Sequence, residues 1–146
     1  MDCEDAQVSG ARRTRVLVVG TDDWAVEQAS SALTSAGQET SCCHPAGEAA
    51  FPCNRFRDDG RCPVDDGVDV VADVRARAIR EITPGEIGVI CALRTGIPLV
   101  VAGIAETGPF DRVASLVVAT GGDLASACEN AASVVDLRTA SSPAAD

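Results

Sequence analysis

The amino-acid sequence predicts an α/β protein built on a parallel sheet, and three observations predict it. Short aliphatic runs recur along the chain: "RVLVVG" (15–20), "GVDVVADVR" (67–75), "PLVVAGI" (98–104) and "ASLVVAT" (114–120). Segments with helical spacing separate several of them, and strands alternating with helices give parallel sheets with right-handed crossovers. Aromatic residues are scarce, with three Phe, one Trp and no Tyr. The core must then be made of Val, Ile, Leu and Ala, as in strands buried on both faces. A chain of 146 residues without an internal repeat suits one domain with one core.

"RVLVVG" is a continuous Val-rich run, the pattern of a buried strand. "WAVEQASSALTSAG" then puts Ala25, Val26, Ala29, Ala32, Leu33 and Ala36 on one helical face. Asp22 or Asp23 can cap its start, and Gly37 ends it. "QETSCCH" reads as a second strand and "GVDVVADVR" as the third. "TPGEIGVICALRTGIP" carries a full helix-start signature: Thr83 as N-cap, Pro84 in first position and Glu86 closing a capping box. Ile87, Ile90, Cys91 and Arg94 mark one side of this helix, and Gly96 and Pro98 end it. "PLVVAGI" and "ASLVVAT" are the fourth and fifth strands, joined by a segment too short for more than a turn or two of helix. "GDLASACENAASVVDL" closes the fold as a helix with Leu124, Ala127, Cys128, Ala131, Val134 and Val135 facing inward. Residues 1–13 and 138–146 are polar and small and read as disordered ends flanking a folded domain over 14–137.

Charge narrows the function. The net charge of −10 repels phosphate at long range, so nucleic acid and anionic membranes are not expected partners. The first fifteen residues have no apolar stretch of a secretory signal, and no run reaches membrane-spanning length. A cytoplasmic protein is therefore expected. All twelve basic residues are arginine, which with the Ala and Val bias fits a GC-rich bacterial genome. Seven cysteines in a reducing compartment point to metal, redox chemistry or burial, not to a disulfide scaffold.

The anomaly is the crossover between the second and third strands. From Cys43 to Gly67 no helical periodicity exists, and the segment 42–63 holds four cysteines and the one histidine. A compact domain seldom keeps so long an irregular loop without a function or a cross-link. Cys43, His44, Cys53 and Cys62 form a Cys3His set suited to zinc, and thiolates equally hold iron–sulfur clusters. Cys42 is the alternative to Cys43, and Arg55, Arg57 and Arg61 stand near enough in sequence to offset thiolate charge. Neighbouring strand residues point to opposite faces, so Cys43 and His44 can ligate together only where the strand has ended, as Pro45 suggests. A redox pair such as Cys53 with Cys62 is a second reading, and inert burial a third; the third suits Cys91 and Cys128, on apolar helix faces.

The order of elements, with "VVGTDD" closing the first strand and "DVVADVR" the third, resembles the receiver domain of bacterial response regulators over residues 14–137. The resemblance implies a flavodoxin-like sheet of five parallel strands in the order 2-1-3-4-5, with the Cys-rich loop replacing the second helix. It also implies Asp73 as a phospho-acceptor and Asp22 and Asp23 as a magnesium-holding pair. The chain departs from the family where Ala102 and Gly103 replace the Ser or Thr after the fourth strand. Thr120 stands near the place of the family's lysine, and the chain has no lysine. The resemblance thus carries the fold, while Asp22 and Asp23 also suit helix capping and Asp73 a strand end. Elsewhere, "TGGD" offers backbone amides to an anion, and the arginines of "RARAIR" follow a strand's carboxyl end, where such sheets bind ligands. No acid–base pair near the loop marks an enzyme. The expected function is a regulatory or protein-binding domain whose Cys/His loop binds zinc or an iron–sulfur cluster. A cysteine redox sensor and a phospho-accepting receiver working through Asp73 are the alternatives.

Overall fold

A computed structural model describes residues 13–44, 49, 50, 53, 56, 60–103, 108–119 and 122–141, the last seven by their backbone alone. Five strands form one parallel sheet: β1 (Arg15–Gly20), β2 (Glu39–Ser41), β3 (Val70–Arg75), β4 (Leu99–Gly103) and β5 (Leu116–Ala119). Their order is β2-β1-β3-β4-β5, the flavodoxin-like arrangement. The aliphatic runs form these strands because every residue after Arg15 in β1, and the first four of β3, are buried between two covering layers. The helices are α1 (Asp23–Ser35), α2 (Pro63–Gly67), α3 (Ile87–Arg94) and α4 (Leu124–Ser141), with a 3-10 turn over Pro84–Glu86 leading into α3.

Side chains alternate across the sheet, so two cores form. On one side Val16, Val18, Val70, Ala72 and Val100 pack against Leu33 of α1 and Ala127, Cys128 and Ala131 of α4. Burying a side chain such as Leu33 contributes about 1.5–3 kcal/mol. Gln38 fastens the two helices here, its Nε2 donating to the Ala125 carbonyl at 2.9 Å. On the other side Leu17, Val19, Val71, Leu99 and Val101 meet Val89 and Ala92 of α3 and Phe110 of the turn before β5.

Several local expectations need correction. Only Ala25 and Leu33 of α1 are buried, and Ala32 and Ala36 are exposed, so its apolar face is narrower than the spacing suggests. Gly37 ends the helix as expected, at a φ of 89° that favours glycine. The second crossover does contain a helix, the five-residue α2, started by Pro63. The capping box of Thr83 and Glu86 is present, but its first turn is 3-10. In α3 the buried residues are Gly88, Val89 and Ala92, whereas Ile90, Cys91 and Arg94 are exposed. The final helix runs from Leu124 to Ser141. Among the described residues, no helix is long and apolar enough to cross a membrane. Pro45, Arg55, Arg57 and Thr120 lie outside the described residues, as do 1–12 and 142–146.

Candidate functional site

The strand β2 ends at Ser41, which frees Cys43 and His44 from strand alternation. The sequence reading required that condition for the two to act together. Beyond the strand, Cys43, His44, Cys53 and Cys62 all line one cavity of about 270 Å³. A fifth donor joins them from elsewhere: Cys91 of α3 lines the same cavity, between Ile87 and Gly88 of its own helix and Phe56 and Val64 of the crossover. Sequence periodicity assigned Cys91 to burial; the structure turns it outward to the thiols. The signal that marks it is its position three residues after Gly88, one helical turn along the side of α3 that borders the cavity.

Backbone anchors hold the thiol-bearing residues. Cys62 is the N-cap of α2, its carbonyl accepting from the amides of Asp65 and Asp66 at 3.0 and 3.2 Å. The Cys53 carbonyl accepts from the Phe56 amide at 2.9 Å. Cys43 presses onto α3 where that helix lacks a side chain: a Cβ at Gly88 would lie 2.6 Å from the Cys43 Sγ and 3.0 Å from Val19. Burial, and then the neighbouring Cys62, Cys91 and Cys53, push the Cys43 thiol up to about 12. Each neighbour opposes its ionisation because several thiolates in one pocket repel. Cys42 goes the other way. It borders a second cavity with Val26 and Ser30 of α1, which Cys43 and His44 also line, and burial raises its thiol too. Of these two cavities, Cys42 lines only the one beside α1. Arg61 pairs with Asp66 at 3.1 Å. The structure joins none of its six described cysteines in a disulfide. Among the described residues no three Cys, His, Asp or Glu side chains converge as ligands of one ion. Cys128 is buried in the α4 core, as expected, and burial pushes its thiol up to about 12.

A second polar cluster sits inside the same face of the sheet. Asp73 lies mid-sheet between Val19 and Val101, with a relative exposure of 0 %. Arg75, two residues on and on the same face, is 3.9 Å from it and forms an ion pair with Glu86, itself fully buried. Arg75 also donates to the Ile79 carbonyl. Glu86 takes the Thr83 amide and hydroxyl at 2.9 Å each, so the capping box doubles as a clamp on a buried carboxylate. Burial, with a hydrogen bond to Glu86 and its charge, pushes the Asp73 carboxyl up to about 9, against the pull of Arg75. For Glu86, burial also raises the pKa, but the hydrogen bonds from Asp73 and Thr83 outweigh it and hold the group below its usual value. No described N–H or O–H group donates to either Asp73 oxygen. This fits a protonated Asp73 that donates to the Glu86 carboxylate, since two carboxyls bond only when one carries a proton.

The acidic pair is used differently again. Asp22 stands at the N-cap of α1 without a side-chain cap bond; its carboxylate accepts from Thr21 at 2.9 Å and from Arg77 at 3.1 Å. Asp23 is the first residue of α1 and is exposed. Of the "RARAIR" arginines, Arg75 and Arg77 therefore serve the protein's own carboxylates. At the start of α4, Asp123 accepts from the Ser126 amide at 3.1 Å and its hydroxyl at 2.7 Å, so this helix end carries its own anion.

The fold and the pocket together define an α/β protein of flavodoxin-like topology with a five-donor, thiol-rich cavity against its third helix. No protein-family model matches the chain, and no curated protein matches it.

Proposed function

We propose that this chain is a cytoplasmic regulatory or protein-binding domain of receiver-like descent, whose crossover pocket holds zinc or an iron–sulfur cluster. The observation that carries the reading is the single cavity lined by Cys43, His44, Cys53, Cys62 and Cys91. Soft sulfur donors gathered from three separate stretches of chain suit a thiophilic metal, and such binding links those stretches into one shape. Phe56 lines the cavity while most of its surface is in solvent, which supports a protein as the partner of the ordered loop. The receiver-like sheet supplies a frame. Asp73 is fully buried beside Arg75, which supports a structural place for it in that frame.

Elemental analysis of the full chain prepared without oxygen tests the proposal. Stoichiometric zinc or iron is expected, with loss in Cys43→Ser/Cys62→Ser. Metal-free protein with reversibly oxidising thiols would replace this reading by a cysteine redox sensor. Uptake of phosphate from a small phospho-donor, abolished by Asp73→Asn, would replace it by a receiver.

A further inference from the structure

We infer that Cys91 completes an all-cysteine set with Cys43, Cys53 and Cys62, and that the group they hold is an iron–sulfur cluster bridging the crossover to α3. The inference rests on the metal-binding reading above and deepens it. It replaces His44 as the fourth ligand and selects between the two kinds of centre.

The helix geometry places Cys91. Ile87, Gly88 and Cys91 recur at helical spacing, so one face of α3 borders the cavity. Cys43 rests on that face over Gly88, one turn from Cys91, and the missing side chain lets the sulfur approach. Cys62 at the start of α2 and Cys53 before Phe56 border the cavity from the crossover. Four cysteines from three stretches of chain thus line one cavity.

The size of that space selects the group. A single zinc holds its sulfurs at about 2.3 Å, which brings tetrahedral ligands within about 3.8 Å of one another. Among the described residues no three donors converge on one metal ion. The cavity measures about 270 Å³, against the ~30 Å³ that one water occupies. A multi-iron cluster takes each cysteine on a different part of its surface, so it fits thiols spread around a larger space. The chemistry balances simply: each thiol releases its proton as its sulfur bonds to iron, with ferrous iron and sulfide supplied from solution.

The test is reconstitution of the full chain with ferrous iron and sulfide in the absence of oxygen. Bound iron, acid-labile sulfide and visible absorbance are read for wild type, Cys91→Ser and His44→Ala. Wild type and His44→Ala should carry equal iron and sulfide with colour. Cys91→Ser should fall by about ten-fold or more, while its metal-free circular dichroism and melting match those of metal-free wild type, because Cys91 is exposed. Full cluster content in Cys91→Ser overturns the inference, as does loss in His44→Ala. One zinc per chain without sulfide, lost in His44→Ala, overturns the inference and leaves the metal-binding reading standing. A wild-type chain that takes up no metal of either kind overturns both.

Discussion

The two faces of the sheet are covered by different means. On one, α1 and α4 lay rows of small aliphatic residues over Val16, Val18, Val70, Ala72 and Val100, and the buried side chains are apolar apart from the Gln38 fastener. On the other, the eight-residue α3, the five-residue α2 and the Phe110 turn share the work. This second face contains the buried Asp73, Arg75 and Glu86, and the thiol pocket opens beside it. Where helical cover is long, packing alone closes the core. Where it is short, the apolar cluster is joined by a buried ion pair, and a cavity lined by cysteines lies beside it.

That contrast fails or sharpens under substitution. The largest effect is expected for Arg75→Met, which leaves the buried Glu86 carboxylate without its cation. A loss of about 3–5 kcal/mol in urea unfolding is predicted; a loss below about 1 kcal/mol would mean that the ion pair does not hold this face. Leu33→Ala on the helical face should cost about 2–5 kcal/mol through its cavity. Its metal content should match wild type, because Leu33 lies across the sheet from the thiols. Loss of metal in Leu33→Ala would show the faces to be coupled.

Gly88→Ala acts at the junction of α3 with the pocket. Its added methyl would meet the Cys43 sulfur and Val19, and overpacking of this kind costs about 1–3 kcal/mol. Reduced metal uptake is expected alongside, read by elemental analysis; unchanged uptake would detach Cys43 from the site.

The smallest effect is a pH slope. Asp73 has a folded pKa of about 9 against an ordinary value of 3.8, so between these the folded chain keeps a proton that the unfolded chain has released. Stability must then fall as pH rises through that window. Glu86, Arg75 and Asp111 face the group and share in the effect. Asp73→Asn keeps a donor toward Glu86 and removes the titration. Between pH 5 and 8 its stability should lose about 1–3 kcal/mol less than that of wild type, in unfolding curves at both pH values. Parallel slopes would show that Asp73 is ionised in the fold.

How far these features can be read from sequence differs between the same two faces. Runs such as "RVLVVG" declare buried strands because nothing else places that many β-branched residues together. The capping box of Thr83 and Glu86 is equally plain, since it is a local bond pattern. Strand order came from the receiver resemblance, and the sheet bears it out. Three features stayed hidden because they depend on contacts between distant residues. The α3 periodicity marks two sides but not which one meets the sheet, so Cys91 reads as core. Glu86 reads as a cap alone, because its partner Arg75 lies eleven residues away across a turn. Asp22 occupies the N-cap position, but Arg77 takes its carboxylate, a contact no local rule contains.

The most direct measurement is amide hydrogen exchange on the chain as purified without oxygen, compared with the same chain stripped by a chelator. If metal–sulfur bonds stand in for packing on the thiol face, stripping will speed exchange in α2 and α3 while α1 and the start of α4 keep their protection. Equal exchange in α3 before and after stripping, or a purified chain that carries no metal to strip, would contradict the account.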